Sequence, residues 1–299
     1  MGAIQVVAAT DDFYACHLTV MLLSLFERSA SPVDVHVLVP GQFQSRDKIA
    51  GALGKYAAHL TFHAVKPLEG LTVRKGVADA TYYRLLIGDI LPAALTRVIY
   101  LDSDMLICGD LSPLWQTELG DATVAAVIDP GFVQYAQLGI SPSQPYFNAG
   151  MMVVDMARWR RDGVGKAALD FALSNPDRVH FDDQCALNWV LQDRWVQVPS
   201  IWNLQVFTLS ESKHGHFTYP KHLRRNADGV RVVHFNSPGR PWTYMDEHPF
   251  KGDYLAFRAR TPWREMRPAD RFPHNMIVKT LLLYAPVLVP AYKRLRAYV

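Results

Sequence analysis

The sequence contains few cysteines, no long apolar run and no basic leader. Its three cysteines, Cys16, Cys108 and Cys185, are far apart and form neither a disulfide framework nor a paired metal-binding motif, which favours a reducing cytosol. The most apolar stretch, residues 276–291, has about 16 residues and is interrupted by one lysine and two prolines. Because a membrane-spanning helix needs about 20 apolar residues, we predict no such helix. The N-terminus likewise predicts no secretory signal.

Charge is nearly balanced overall, but it is unevenly distributed. The net charge is +3, yet residues 258–299 carry nine Lys and Arg against two acidic residues, a charge of +7, which leaves −4 for residues 1–257. A net acidic body argues against a nucleic-acid-binding protein. Hydrophobic residues make up 49% of the chain, which is enough for a large core and excludes a disordered protein.

The cationic C-terminal region predicts contact with an anionic surface. Apolar residues lie beside Lys293, Arg294 and Arg296, a combination that is typical of a helix in the membrane interface. The alternative is that this tail packs back onto the domain. We therefore predict a catalytic domain over residues 1–250 and a basic, aromatic helical appendage over 251–299. The predicted location is cytoplasmic, either free or peripheral on the inner face of the cytoplasmic membrane.

Short apolar runs alternate with helical patterns along the chain. The βαβαβ order at the start predicts a Rossmann-like α/β sheet that binds a nucleotide. Its first strand runs into Ala-Thr-Asp-Asp instead of a G-x-G-x-x-G turn, which argues against a dinucleotide-dependent dehydrogenase. Strands are predicted at residues 4–9, 33–39, 60–65, 97–101, 124–128, 151–154 and 230–233. The predicted helices include 45–56, 80–90, 165–174 and 182–191.

Two aspartates follow the predicted strand 97–101, at the strand end where open α/β sheets bind ligands. In an extended segment, Asp102 and Asp104 would point their carboxylates the same way, toward one cation. His234 ends another predicted strand, and an imidazole beside two carboxylates suits Mn²⁺, while the carboxylates also suit Mg²⁺. Arg240 is placed to contact a diphosphate held by that metal. Taken singly, these residues have commoner explanations: a turn, a buried hydrogen-bonded histidine and a solvated arginine.

Two further polar clusters fit a sugar pocket. Asn148 stands at the predicted entrance of a strand, and Gly150 allows a close backbone approach. Asp182, Asp183 and Gln184 begin a predicted helix, where carboxylates also serve as helix caps. Capping is the stronger interpretation for Asp182 and the weaker one for Asp183.

These motifs occur together, and in this order, in a known family. The chain resembles glycosyltransferase family 8, the group of bacterial lipopolysaccharide galactosyltransferases and glucosyltransferases that also includes glycogenin. The resemblance covers roughly residues 4–245 and implies a GT-A fold, a UDP-sugar donor, retention of anomeric configuration and a requirement for Mn²⁺ or a similar divalent ion. The matching segments are Val6-Val-Ala-Ala-Thr-Asp-Asp-Phe-Tyr14, Thr81-Tyr-Tyr-Arg84-Leu, Tyr100-Leu-Asp-Ser-Asp104, Leu111-Ser-Pro-Leu-Trp115, Tyr146-Phe-Asn-Ala-Gly150, Asp183-Gln184 and His234 to Trp242.

The resemblance also implies roles for individual residues. Tyr14 is implied to stack on uridine. Gln184 is implied to be the side chain nearest the β face of the anomeric carbon. Arg240 stands where the family usually has lysine. The implied metal ligands are Asp102, Asp104 and His234. The implied donor-binding residues are Ala9, Asp11, Tyr14, Arg84, Asp102, Ser103, Asn148 and Arg240. The implied catalytic residues are Asp129, Asp183 and Gln184. The chain departs from the family pattern at Phe13 and at Asn236-Ser237.

The sequence leaves two mechanisms of retention open. The acceptor hydroxyl attacks on the face from which UDP leaves, or Asp183 acts as the nucleophile of a double displacement. We predict transfer of galactose, with glucose as the next candidate, to a saccharide or glycolipid acceptor such as lipopolysaccharide. The alternative function is a catalytically silent, sugar-nucleotide-binding scaffold at the membrane surface. The complete set of Asp102, Asp104 and His234 argues against that alternative.

Overall fold

A seven-stranded mixed sheet forms the centre of the protein. The structure, a computed structural model, describes residues 2–68, 70–71, 79–205, 211–213, 216–218, 229–236 and 240–288. The strands are β1 (Ile4–Ala9), β2 (Val33–Pro40), β3 (Leu60–Val65), β4 (Arg97–Leu101), β5 (Met105–Ile107), β6 (Val124–Ile128), β7 (Phe147–Asp155), β8 (Trp195–Gln197), β9 (Leu204–Gln205), β10 (Glu211–Lys213), β11 (His216–Thr218) and β12 (Val232–His234). The order in the central sheet is β3-β2-β1-β4-β7-β6-β8. Strands β1 to β4 are parallel, and β7 is antiparallel to both of its neighbours.

Apolar clusters pack on both faces of this sheet. Val6 and Val7 are consecutive and fully buried, but they belong to different clusters because successive side chains of a strand point to opposite faces. A sheet covered on both sides explains why its strands are continuous apolar runs. The helices are α1 (Ala15–Arg28), α2 (Arg46–Leu53), α3 (Ile87–Ile90), α4 (Ser112–Trp115), α5 (Tyr135–Leu138), α6 (Met156–Arg161), α7 (Val164–Ser174), α8 (Asp182–Leu191), α9 (Lys251–Arg258) and α10 (Pro273–Tyr284).

A small second sheet, β5-β12-β9, brings together residues that are far apart in sequence. Strand β12 is antiparallel to β5, and His234 pairs with Met105, the residue after Asp104. The backbone N–H of Phe235 donates to the carbonyl of Asp104 at 2.9 Å. This register places the imidazole beside the two aspartates.

The α/β class and the mixed sheet flanked by helices are confirmed, and the local differences lie near the site. Residues 80–90 form a 3-10 helix (Asp79–Leu86) followed by α3 rather than one α-helix. Strand β7 begins at Phe147, so Asn148 lies inside a strand and not at its entrance. The aspartates are also not on an extended segment, because the chain turns after β4 to enter the second sheet at β5.

The described part of the C-terminal region packs onto the body of the protein. Tyr254 of α9 is buried, and its hydroxyl lies 2.6 Å from Nδ1 of His17 in α1. Val278 of α10 is buried, and the Lys279 ammonium donates to the carbonyl of Tyr244 at 2.6 Å. The tail cations Lys293, Arg294 and Arg296 lie outside the described residues, so membrane contact stays a prediction. Within the described ranges, no helix combines the length and the apolar character that crossing a membrane requires.

Candidate active site

Two adjoining cavities lie at the carboxyl ends of β1 and β4. Their volumes are about 170 Å³ and about 390 Å³, and both are lined by Thr81, Arg84, Asp102 and Asp104. The thirteen residues to which the family resemblance assigned a role all line one cavity or both. The first cavity includes Ala9, Asp11, Tyr14, Arg84, Asp102, Ser103, Asp104 and Arg240. The second includes Asp129, Asn148, Asp183, Gln184 and His234 beside the shared residues.

Asp102, Asp104 and His234 form a cluster of metal-ligating side chains between the cavities. Nε2 of His234 lies 3.3 Å from Oδ1 of Asp104 and 3.7 Å from Oδ2 of Asp102. One ligand atom from each of the three lies within 4.8 Å of the others. Two carboxylate oxygens and one imidazole nitrogen are ligands that Mn²⁺ accepts. The residues present therefore fit a divalent cation.

A glycine is required next to this cluster. A Cβ on Gly150 would lie 2.4 Å from Cε1 of His234 and 2.7 Å from Oδ2 of Asp102. Such contacts are too short for any side chain at this position. The absence of a side chain at residue 150 therefore leaves the space that two of the three ligands occupy.

The two oxygens of Asp102 face different partners. Oδ1 accepts a hydrogen bond from the Tyr100 hydroxyl at 3.2 Å and lies 2.9 Å from Nη2 of Arg84. These contacts leave Oδ2 on the side of His234. Tyr100 was not among the residues suggested by the sequence, although its position two residues before Asp102 was a usable signal. The contacts therefore fix the orientation of the Asp102 carboxylate, with Oδ2 toward His234.

Arg84 is a buried cation between two carboxylates. Its Nε lies 2.7 Å from Oδ2 of Asp183 and its Nη1 donates to the carbonyl of Ala149 at 2.6 Å. Burial acts to lower the pKa of Arg84, but Asp102 and Asp183 outweigh burial and raise it. The 3-10 segment that carries Arg84 sits close against α7, where a Cβ on Gly165 would lie 1.9 Å from the Leu85 carbonyl oxygen. This close packing fixes the position of the segment that carries Arg84 relative to α7.

Asp183 is an unusually basic carboxylate at the start of α8. Its side chain is 2% exposed, and burial raises its pKa to about 6 against the opposing effect of Arg84. Oδ1 accepts from the Thr81 hydroxyl at 3.0 Å, while Oδ2 forms an ion pair with Arg84 and has no hydrogen bond to the part of the chain that the structure describes. The preceding residue, Asp182, has a φ of 48° and is the first residue of α8; the N-cap position is Phe181. Such a backbone is strained for a residue with a side chain.

The amide of Gln184 is held on both sides. Its Oε1 accepts from the backbone N–H of Ala149 at 3.0 Å, and its Nε2 donates to Oδ2 of Asp129 at 3.0 Å. The same oxygen of Asp129 accepts from Nδ2 of Asn148 at 3.1 Å. Asp129, Asn148 and Gln184 therefore form one hydrogen-bonded group in the second cavity.

The first cavity combines an aromatic ring with a guanidinium group. Asp11 accepts from the backbone N–H of Tyr14 at 2.8 Å, and burial raises the pKa of Tyr14 to about 12. The Ser103 hydroxyl donates to the Ala9 carbonyl at 2.7 Å, which joins the ends of β4 and β1. Nε of Arg240 is buried and has no hydrogen-bond partner among the residues that the structure describes. A buried, unpaired donor in a cavity is suited to an anionic ligand.

Aromatic packing that the sequence did not suggest surrounds this end of the site. The rings of His17 and Trp242 lie 3.8 Å apart, and Trp242 also makes an edge contact with Tyr14 at 6.4 Å. Burial lowers the pKa of His17 to about 4. Phe13, in contrast, is 82% exposed. Trp242 follows Arg240 by two residues, so this stack holds the segment that supplies the arginine.

The fold and the site define a nucleotide-sugar-dependent glycosyltransferase of the GT-A type. The family model of glycosyl transferase family 8 matches residues 5–246, and the chain belongs to this family. The implied family membership, enzyme class and GT-A fold are thereby confirmed. The roles of the individual site residues stay predictions.

The chain is similar to named bacterial proteins and to solved structures. It is 27% identical to general stress protein A of Bacillus subtilis, over 87% of this chain and 94% of the relative. It is 27% identical to a lipopolysaccharide 1,3-galactosyltransferase of Salmonella typhimurium, over 71% of this chain and 64% of that enzyme. The galactosyltransferase LgtC, solved with donor and acceptor sugar analogues, superposes with a TM-score of 0.75 at 26% identity, over 88% of this chain and 99% of LgtC.

Proposed function

We propose that the protein transfers a hexose, galactose first and glucose next, from a UDP-sugar to a saccharide or glycolipid acceptor with retention of configuration and with dependence on a divalent cation. The observation that carries this proposal is the cluster of Asp102, Asp104 and His234 between two connected cavities. The first cavity offers the Tyr14 ring and the Arg240 guanidinium, and the second offers carboxylates and side-chain amides. This division matches a nucleotide diphosphate joined to a sugar.

The residues of the first cavity suit the UDP portion. Tyr14 is a partly buried ring at the cavity wall, and uracil has a flat face that stacks on such rings. Asp11 and the Ala9 carbonyl are hydrogen-bond acceptors for uridine. Nε of Arg240, which has no hydrogen-bond partner within the described ranges, is suited to donate to the diphosphate. Asp102, Asp104 and His234 would hold Mn²⁺ or Mg²⁺, and a bound cation would neutralise the charge that develops on the leaving diphosphate.

The second cavity suits the hexose. Asp129 and Asn148 supply acceptors and donors for sugar hydroxyls, and Oδ2 of Asp183 has room for one further hydrogen bond. Arg84 keeps Asp183 ionised in a buried setting, because its charge lowers the pKa that burial raises. We propose the same contact set for galactose and glucose; the choice between them depends on one hydroxyl.

We propose that retention occurs by attack from the front face. The acceptor oxygen forms its bond to the anomeric carbon as the bond to the diphosphate oxygen breaks, and the hydroxyl proton passes to that departing oxygen. Gln184 supports this route because both ends of its amide are engaged by Asp129 and Ala149, and a neutral amide is a weak nucleophile. Its carbonyl dipole instead stabilises positive charge at the anomeric carbon.

The acceptor side of the proposal includes a glycolipid at an anionic membrane surface. Helix α10 and the residues that flank it expose several large apolar side chains; these are Phe272, Met276, Ile277, Tyr284, Val287 and Leu288. Exposed apolar side chains near a cationic segment suit the interface of anionic lipids. The relatives named for action on lipopolysaccharide support an acceptor of this class.

The test is UDP release and thermal stabilisation with a panel of UDP-sugars and Mn²⁺. We expect release with UDP-galactose, or with UDP-glucose next, and a further increase when acceptor glycolipid is supplied in anionic vesicles rather than in neutral ones. Asp104→Ala removes one proposed ligand, so we expect at least a hundredfold loss of release and loss of Mn²⁺-dependent stabilisation. EDTA should reproduce the loss in the wild type.

Two results would count against this function. If no UDP-sugar stabilises the protein in the presence of Mn²⁺, the donor assignment is wrong. If UDP-sugars bind but none is hydrolysed or transferred, the protein is the sugar-nucleotide-binding scaffold. Asp170→Ala is the matched control, because this acidic residue is exposed on α7 and lines neither cavity; it should behave as the wild type.

Asp183→Asn separates the two mechanisms of retention. Front-face attack requires Asp183 only as a buried partner of Arg84 and of the sugar, so we expect a loss of about tenfold, near 1.4 kcal/mol of barrier. The acidic limb of the pH profile near pH 6 should also disappear, because the group whose pKa is about 6 no longer titrates. Initial rates between about pH 5 and 8 measure both effects.

The opposite result would assign a different role to Asp183. Near-complete loss of transfer by Asp183→Asn, with UDP-sugar binding intact, would identify this carboxylate as the nucleophile of a double displacement. Trapping of a glycosyl group on the wild-type enzyme would support the same conclusion. Thr81→Val, which removes one hydrogen bond to Asp183 and keeps its charge, is the control for altered positioning alone.

A further inference from the structure

Asn203 lies directly behind the proposed metal ligand His234. It follows the 3-10 helix Ser200–Trp202, precedes β9 and is fully buried. Its Oδ1 lies 3.0 Å from Nδ1 of His234, and its Nδ2 lies 2.9 Å from Oδ1 of Asn148. Asn203 therefore joins the cluster of ligands to the hydrogen-bonded group in the second cavity.

Fixed groups at both ends determine the orientation of Asn148. The backbone N–H of Gly150 can only donate, and it lies 3.0 Å from one terminal atom of the Asn148 amide, which must be the oxygen. Asp129 in its ionised form can only accept, and it lies 3.1 Å from the other terminal atom, which must be the nitrogen. Both contacts assign the same positions to the oxygen and the nitrogen, so the Asn148 amide has one orientation.

This orientation determines the next amide and then the imidazole. Because Oδ1 of Asn148 accepts, the atom of Asn203 that faces it is the NH₂ group. The carbonyl oxygen of Asn203 then faces Nδ1 of His234, and an oxygen without a proton can only accept. Nδ1 must therefore carry the proton, and in the neutral ring Nε2 presents its lone pair toward Asp102 and Asp104.

We propose that Asn203 is a positioning residue that holds His234 in the tautomer with a proton on Nδ1, so that Nε2 is available to a divalent cation. Without this amide, the opposite tautomer gains a partner, because a proton on Nε2 would be donated to Oδ1 of Asp104 at 3.3 Å. That tautomer cannot bind a metal through Nε2. The backbone N–H of Gly150 orients Asn148, and Asn148 orients Asn203. The Asn203 oxygen then accepts the proton of Nδ1, which excludes the tautomer protonated on Nε2.

The inference rests on the proposed metal site, so its test includes a measurement made without metal. In metal-free protein labelled with ¹⁵N-histidine, protonated and unprotonated ring nitrogens have separate ¹⁵N shifts. Burial acts to lower the pKa of His234, but Asp104 and Asp102 outweigh it and raise the pKa, so the pH is increased until the ring is neutral. His234→Gln assigns the signal. We expect the wild type to show the proton on Nδ1 of His234, and Asn203→Leu to show it wholly or partly on Nε2.

Mn²⁺ titration in the presence of UDP, followed by electron paramagnetic resonance, is the second readout. We expect Asn203→Leu to bind Mn²⁺ at least tenfold more weakly, as is usual when the partner of a ligating histidine is lost. Asn203→Asp keeps an acceptor toward Nδ1, so it should retain the wild-type ring signal and bind Mn²⁺ more tightly than the leucine variant. If the leucine variant does not fold, the ring signal and the Mn²⁺ affinity of Asn203→Asp still test the inference.

Gln205→Leu is the matched control for the loss of a buried amide. Gln205 is also fully buried, lies two residues further along the same segment, and donates to the carbonyl of Ile128 at 2.9 Å. It should lose stability without changing the His234 ring signal. An unchanged ring signal in Asn203→Leu, or equal Mn²⁺ affinity in the leucine variant and the wild type, would overturn the inference. Failure of the wild type to bind Mn²⁺ would instead contradict the proposed function, and the metal-free ring signal would still test Asn203.

Discussion

Gly150→Ala is expected to lower Mn²⁺ affinity and transfer by more than about a hundredfold while the protein stays folded. The new methyl group would lie 2.4 Å from Cε1 of His234 and 2.7 Å from Oδ2 of Asp102, so both side chains must leave their positions. The backbone itself favours the change, because alanine is better than glycine in a strand by about 0.5–1 kcal/mol. Moving the buried His234 side chain also costs stability, so the backbone preference offsets only part of the loss.

The effect is measured by Mn²⁺ titration, UDP release and far-ultraviolet circular dichroism. Gly51→Ala is the matched control, since residue 51 lies in α2 with no atom within 4 Å of the new Cβ. It should leave Mn²⁺ affinity and transfer unchanged. Mn²⁺ affinity within about threefold of the wild type in Gly150→Ala would show that the ligands do not occupy the space above this glycine.

Arg84→Met is expected to destabilise the metal-free protein by about 3–5 kcal/mol, which is typical when one partner of a buried ion pair is removed. Methionine replaces the volume of the aliphatic stem but leaves Asp102 and Asp183 without a cation. At about 2–4 °C for each kcal/mol, the melting temperature should fall by on the order of 10 °C at neutral pH. Thermal unfolding in EDTA measures this fall.

The pH dependence identifies the cause of the destabilisation. Arg84 lowers the pKa of Asp183, so its removal raises the folded-state pKa further above the ordinary value. The penalty is then complete above that pKa and is relieved as the pH falls through it and the carboxyl binds a proton. We expect the difference in melting temperature between variant and wild type to shrink from pH 7 to about pH 5.

Arg160→Met is the control for this prediction. Arg160 donates to backbone carbonyls of residues 88–95 and has no carboxylate partner among the described side chains. Its loss should destabilise the protein by an amount that does not depend on pH. A shift in Arg84→Met of only 1–2 °C at pH 7, or one that grows toward acid, would contradict the account of a buried carboxylate pair.

Sequence periodicity was sufficient for most of the fold because the central strands are buried on both faces. A run such as residues 4–9 is apolar throughout, and polar side chains begin where the strand reaches the edge of the sheet. Asp102 follows β4 and His234 ends β12, so strand ends marked the site. The 3-10 segment around Arg84 was predicted as a helix, since both helix types bury side chains at similar intervals.

The pairing of distant residues was not visible in any local pattern. The extended geometry assumed for Asp102 and Asp104 was wrong, because the chain turns there to join a second sheet. The antiparallel register of β12 with β5 brings His234 to the two aspartates. Asn203 escaped notice because a single asparagine near a 3-10 helix carries no motif, and its role depends on neighbours 31 and 55 residues away along the chain.

The sequence by itself determined the class of fold, the family and the residue types at the strand ends, because burial of apolar runs and side-chain chemistry are local properties. Only the tertiary structure decided which oxygen of Asp102 faces His234, that Arg84 lies between two carboxylates, and that a backbone N–H sets the protonation of an imidazole two amides away. In each hydrogen bond one group donates and the other accepts, and the role of each side-chain atom is set by the group that lies next to it in space. These donor and acceptor roles therefore depend on the positions of the atoms and not on their order along the chain.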